Sequence, residues 1–276
     1  MHTLRIWTEK HMGKLWMAAV FAFLYLPLGY LILFSFNSSK QDARFTGFSL
    51  QWYEALFKDS RLVDGFLLSF RVAIISGTLS AVLGTLAAFV LVRYKRFAGR
   101  TLFSGMNSAP LVMPEVIIGL SLMLFMKVLW RSMGWPEMGT VTIVLGHVLV
   151  GMAYATVVVQ SRLAEMDHSI EEAAMDLCCR PLQVFMLVTL PCIAPGIIAA
   201  WLLAFTLSFD DLVISEFISG PGVTTLPQVI FSYARRGINP TIYAAAALLI
   251  LVVTIAVIAY SIIEARQSRR RLRRQK

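Results

Sequence analysis

The chain is short of charge. Only 15% of its 276 residues are Asp, Glu, Lys or Arg, against roughly 25% in a soluble domain. With 58% of positions hydrophobic and a mean hydropathy of +0.71, too little polar surface exists to cover a fold in water. An ordinary soluble domain is therefore excluded. Cysteine is scarce as well: Cys178, Cys179 and Cys192 show neither metal-ligand spacing nor an even-numbered framework, which argues against a zinc site or a disulfide scaffold. Adjacent cysteines fit disulfide geometry poorly, so all three read as free thiols on the reducing side of a membrane. No G-x-x-x-x-G-K-[ST] run occurs, and the chain lacks a phosphate loop of its own. Nor does any His/Cys/Asp metal cluster or nucleophile–base constellation stand out, which disfavours a membrane enzyme.

What the sequence does have is long apolar runs. A helix needs about 20 apolar residues to cross the hydrocarbon core, and six segments qualify: Trp16–Phe36, Leu68–Val92, Leu102–Met126, Thr140–Gln160, Ile193–Val213 and Thr241–Ile263. The first is too long for a signal-peptide core and lacks a small-residue cleavage pattern, so it reads as a retained span. Seven of the 25 basic residues fall in the last eleven positions, and four more lie between Arg93 and Arg100. Counted by alternate sides, 16 of the 25 lie on the face that holds both termini. The positive-inside rule then predicts N-in, C-in. The expected organisation is a cytoplasmic arm at 1–15, one six-helix transmembrane domain at 16–263 and a basic cytoplasmic tail at 264–276. There is no internal repeat. The tail's RRRLRR run could suggest nucleic acid, but beside a span it fits anionic lipid better.

Two spans carry charge. In the third, Pro110, Pro114 and Glu115 fall together, predicting a kink with a carboxylate at mid-depth. Such a carboxylate costs roughly 2.5–3.5 kcal/mol on insertion scales. It either hydrogen-bonds to a neighbouring helix or lines a polar path, and the coincidence of kink and charge favours the path. At the outer end of the fifth span stand Asp210 and Asp211. Acids there oppose the helix macrodipole, so a cationic partner is expected from protein or from substrate. His147 and Tyr154 on the fourth span read first as packing residues.

Between the fourth and fifth spans lies an acidic stretch, EEAAMDLCCRPLQVFMLVTLP, residues 171–191. Leu163, Met166, Ile170, Ala173/Ala174 and Leu177 recur at helical spacing. Ser169 with Glu172 three residues later forms a capping-box pattern, predicting a short helix from Ile170 to about Cys178. Pro181 suits the first turn of a following helix, which is expected to enter the membrane at Leu190-Pro191. Helices that lie on lipid are typically basic; an acidic one is better suited to a partner protein.

This stretch resembles the cytoplasmic loop of binding-protein-dependent ABC importer permeases. That loop reads E-A-A, three residues, G, nine residues, I, one residue, L-P. Here Glu172-Ala173-Ala174 is followed by Cys178 at the glycine position, then Val188 and Leu190-Pro191. SFNSS at 35–39, APLVMPEVIIGLSL at 109–122 and LAFTLSFDDLVISEFISGPGVTTLP at 203–227 further resemble the polyamine permeases of that family. The resemblance implies an all-α integral membrane protein of six transmembrane helices, a type I ABC importer permease with a cytoplasmic coupling helix in the bacterial inner membrane. It implies a second, similar permease (a heterodimer), two cytoplasmic ATPases that bind ATP and Mg, and a periplasmic polyamine-binding protein. No cofactor or metal is expected in this chain. Glu171, Glu172, Ala173, Ala174, Asp176, Cys178, Leu190 and Pro191 become the expected ATPase-coupling residues.

A polyamine is an apolar chain with two or more ammonium groups, so its path should combine carboxylates with aromatic faces. The candidates are Glu115, Asp210 and Asp211 with Tyr154, Trp201 and Phe209. A secondary transporter or cation channel using the same carboxylates is the competing expectation, and it leaves the acidic inner loop unexplained.

Overall fold

The computed structural model describes the backbone of residues 2–40, 44–94, 96–237 and 240–274. Lys95 and the side chains of the basic tail lie outside the described residues. The chain is helical, with one isolated antiparallel bridge, Asn37 to Phe48. Its contacts group into two compact units, Met1–Val63 with Ile230–Lys276, and Asp64–Val229.

In the first unit, α1 (His2–Phe34) runs into the SFNSS segment, α2 (Gln51–Lys58) follows, and α12 (Pro240–Arg274) packs on both helices. Asn37 organises the turn between α1 and α2. Its Oδ1 accepts the Thr46 backbone N–H at 2.9 Å, and its carbonyl accepts the Trp52 indole N–H at 2.6 Å. The polar SFNSS run thus closes a loop of backbone groups that lipid could not satisfy.

The second unit holds most of α3 (Ser60–Arg93), then α4 (Arg100–Val112), α5 (Glu115–Met133), α6 (Thr140–Glu165), α7 (Ser169–Asp176) and α8 (Pro181–Val184). A π-helical turn over Phe185–Thr189 leads into α9 (Leu190–Phe209). After it come α10 (Val213–Ile218) and α11 (Leu226–Arg235), the latter crossing into the first unit. One buried cluster joins Ala88, Ala155, Val159, Leu163, Ile193 and Ala200 from α3, α6 and α9. A second joins Val72, Ile118, Ile143, Ile214 and Ile218. With lipid outside as apolar as leucine, helices associate through close packing of small residues. Gly84 shows this: a Cβ there would stand 2.6 Å from the Ala155 Cβ and 2.9 Å from the Thr156 nitrogen. Some buried polar groups bridge helices, as where the Thr142 hydroxyl donates to the Ile218 carbonyl at 2.6 Å.

Among the described residues five helices are long and apolar enough to cross a membrane: Met12–Phe34, Ser60–Arg93, Glu115–Met133, Thr140–Glu165 and Pro181–Phe209; the apolar Pro240–Ile255 is shorter. The expected span Leu102–Met126 is corrected, because it is not one helix. Met113 is extended, with φ −76° and ψ 140°, the conformation that a following proline imposes. Pro114 therefore ends α4 outright instead of kinking it. The expected fifth span begins twelve residues earlier than Ile193, at Pro181.

That early start depends on the π turn. Leu190 donates its N–H to the Phe185 carbonyl, five residues back. Pro191 has no N–H, and its ring would strike the carbonyl four residues before it in a regular α-helix. One wide turn absorbs both problems and keeps the helix continuous.

Candidate functional site

The acidic loop between α6 and α9 forms a short helix with two well-defined ends. The expected capping box does not form. The Ser169 N–H instead donates to Asp167 Oδ1 at 3.0 Å, and Glu172 Oε1 lies 3.1 Å from His168 Nδ1. Asp167 supplies the cap because it stands two residues before the first free N–H. The Ser169 backbone N–H, then its side chain, holds the Asp167 carboxyl below the ordinary range. A lowered folded pKa means that this cap is present at neutral pH and is lost as pH falls through the carboxylate range.

At the other end Cys178 has φ 63°. Its N–H donates to the Met175 carbonyl at 2.9 Å, and the Cys179 N–H to the Ala174 carbonyl at 3.2 Å. These two bonds define a Schellman cap, whose left-handed residue is usually glycine. A residue with a Cβ is strained there, so Cys178→Gly is expected to stabilise the loop by about 1 kcal/mol. Thermal unfolding of the purified chain checks this, with Cys178→Ala as a control that should gain nothing. An unchanged midpoint for the glycine variant would contradict it. On the far side of the turn Pro181 opens α8, and Gln183 Oε1 accepts the Arg180 N–H at 2.9 Å.

The faces of α7 differ from the expected stripe. Leu163 is fully buried within α6, whereas Leu177 is 81% exposed. Glu172, Ala173, Asp176 and Leu177 face outward. Glu171 does not, and its expected place on the partner-facing surface is corrected: it is buried. Arg93 Nη2 donates to its Oε1 at 2.9 Å, and the Thr189 hydroxyl donates to the same oxygen at 2.6 Å. Arg93 Nε stands 2.9 Å from Oε2 but without the alignment of a hydrogen bond. Leu190 and Pro191 follow the π turn directly, inside the helix that Pro181 opens.

At the opposite end of α9 the rings of Trp201, Phe205 and Phe209 stack at successive turns, with centroids 5.4 and 5.9 Å apart. Phe66 and Phe70 of α3 meet Phe209 and Phe205 edge-on, each at 5.9 Å. Trp201 Nε1 also donates to Thr78 Oγ1 at 3.1 Å. Trp201 and Phe209 are thus brought together, and Phe66, Phe70 and Phe205 are members that the sequence reading missed. Their i, i+4 spacing on both helices was the available signal. Below the ladder α3 and α9 part to leave an open apolar groove of about 520 Å³, lined by Val82, Leu86, Met186 and Ile198 among others.

The carboxylates separate into three roles. Asp211 is engaged by groups of this chain. Its Oδ2 accepts the Ser215 N–H at 2.8 Å and lies 3.1 Å from His147 Nε2, while its Oδ1 accepts the Ile214 N–H. His147 Nδ1 also meets Ser208 Oγ at 2.7 Å. Asp210 is the exposed member of the pair, directly after Phe209 where α9 ends. Among the described residues no cation pairs with it. Glu115 is exposed in the first turn of α5, where the helix dipole favours a carboxylate. It therefore opens a helix and does not lie in the interior of one. Tyr154 is half-buried on α6, and among the described residues neither it nor Glu115 makes a hydrogen bond or ring contact with the other candidates.

Among the described residues, several apolar helices long enough to cross a membrane, a broken helix and an exposed acidic loop define a multi-pass membrane protein. Residues 80–269 match the family of binding-protein-dependent transport system inner membrane components, and the chain belongs to that family. It is 50% identical over 254 residues to the putrescine transport system permease protein PotI of Escherichia coli K12, covering 92% of this chain and 90% of that one. It is 35% identical over 245 residues to the spermidine/putrescine transport system permease protein PotC of Haemophilus influenzae, covering 89% and 93%. A solved bacterial ABC transporter for alginate import shares the fold, with TM-score 0.70 at 15% identity over 95% of this chain and 99% of that one. A methionine ABC transporter matches with TM-score 0.56 at 18% identity over 72% and 92%. The chain is accordingly an inner-membrane permease subunit, and ATP hydrolysis belongs to partner chains.

Proposed function

We propose that this chain forms half of the translocation path of an ATP-driven importer for a polyamine, putrescine or spermidine. The observation that carries the substrate class is the 50% identity to a putrescine permease along nearly the whole chain. The ladder supports it physically. Trp201, Phe205 and Phe209 stack along α9, and the exposed Asp210 follows Phe209 directly in the chain, a combination of aromatic surface and carboxylate that suits an apolar chain ending in an ammonium group. Asp210, Trp201 and Phe209 stay in the path, Glu115 and Tyr154 stand as further contacts, and Asp211 holds the local backbone.

Six spans complete the type I arrangement, the apolar Pro240–Ile255 stretch serving as the core of the sixth, with both termini in the cytoplasm. A second, similar permease forms the other half, and a periplasmic polyamine-binding protein delivers the cation. Two cytoplasmic ATPases hold ATP and Mg and dock on the outward face of α7, where Glu172, Ala173, Asp176 and Leu177 are exposed. A secondary transporter or channel has no use for that face. Mild-detergent purification through a tag on this chain tests the assembly. An ATPase and a second permease should co-purify in fixed proportion, and recovery of this chain alone would count against the reading.

A further inference from the structure

Glu171 joins three elements of the second unit through one carboxylate. It sits on α7, takes its charged partner Arg93 from the last residue of α3, and takes the Thr189 hydroxyl from the π turn that feeds α9. The same two helices meet again at the far end, where Phe66 and Phe70 of α3 hold Phe209 and Phe205 of α9. α3 alone spans about 40 Å between Phe66 and Arg93 at 1.5 Å per residue, more than the hydrocarbon core. The helices are thus clasped at both ends and parted by an open groove between.

A buried ion pair is a weak source of net stability compared with apolar side chains of similar volume. Its value lies in fixed geometry, and here a single carboxylate fixes three elements. The wide turn that accommodates Pro191 also rotates the residues after it by about 100° relative to an uninterrupted α-helix. Thr189 ends that turn, with its hydroxyl on Glu171.

We propose that Arg93, Glu171 and Thr189 form a positioning clasp that carries a displacement of α7 into α3 and α9 together, and through them to the aromatic ladder. This rests on the reading that the ATPase docks on the outer face of α7, but it concerns the inner face, which touches no partner. Loosening the clasp leaves the motor bound and running while its stroke no longer reaches the path.

The test uses the complete complex in proteoliposomes, with labelled putrescine, reading ATP hydrolysed per putrescine accumulated. Glu171→Gln should keep hydrolysis within about twofold while uptake falls about tenfold, so the ratio rises about tenfold. Thr189→Val, which keeps the ion pair, should raise the ratio by a smaller factor, and Thr189→Ser should restore it. The exchange Arg93→Glu with Glu171→Arg should recover part of the coupling lost by either single change. Hydrolysis and uptake falling by one common factor, or a ratio unchanged throughout, would overturn the clasp. If Glu171→Gln does not assemble, the Thr189 pair decides the matter in the same way. Loss of the ATPase from assembled Glu171→Gln complexes would also overturn it, since the inner face would then serve docking. Retention of the ATPase by Leu177→Asp would instead defeat the docking reading.

Discussion

Asp210→Asn lowers polyamine uptake by about tenfold or more while complex assembly and ATPase attachment stay at the wild-type level. The carboxylate is exposed at the end of α9, and no protein cation pairs with it among the described residues. Removing its charge therefore costs the fold little. A hydrogen bond to a charged group contributes about 1.5–3 kcal/mol, which sets the size of the loss if an ammonium group pairs with it. Uptake of labelled putrescine at several concentrations checks the expectation, and an unchanged rate would remove Asp210 from the path. Asp211→Asn acts elsewhere. It weakens the contact with His147 and the two backbone N–H bonds at the start of α10, so its effect is a lower yield of folded protein. Two adjacent aspartates thus give separable phenotypes.

The second large effect is expected at the outer face of α7. Leu177 is 81% exposed beside the exposed carboxylates Glu172 and Asp176. Burying a leucine against a partner contributes about 1.5–3 kcal/mol, and Leu177→Asp replaces that gain with the cost of burying a carboxylate. The ATPase recovered with this chain should fall by about tenfold or more. Glu172→Ala is the graded comparison. Its carboxylate is exposed and, among the described residues, reaches only His168, so the loop keeps its Asp167 and Cys178 ends. Wild-type ATPase recovery with both variants would show that the motor docks elsewhere.

Class, family and the place of the coupling loop were legible in the sequence, and the reasons are local. Low charge and long apolar runs dictate a membrane protein, and E-A-A with Leu190-Pro191 marks the loop within a short window. Cys178 at the glycine position was legible as a question about one backbone angle, and φ 63° answers it. What failed to read through depends on contacts far apart in sequence. The role of Asp211 follows from His147, 64 residues earlier, and that of Glu171 from Arg93, 78 residues earlier. Periodicity placed Glu171 off the apolar stripe and hence outward, because a buried carboxylate with a distant arginine leaves no pattern of its own.

Two misses were local. Ser169 and Glu172 fit the capping box, but Asp167 was better placed to accept the Ser169 N–H, so the competing cap formed. Pro114 was expected to kink one long helix. The extended conformation that it imposes on Met113 broke that helix instead, and Glu115 opens the next one.

The most direct measurement of the central claim is putrescine uptake into proteoliposomes that contain this chain, its co-purified partners and the binding protein. Accumulation should require ATP on the ATPase side, stop when the ATPase is removed, and persist when ion and proton gradients are collapsed. Uptake by this chain alone, driven by a gradient and indifferent to ATP, would contradict the account.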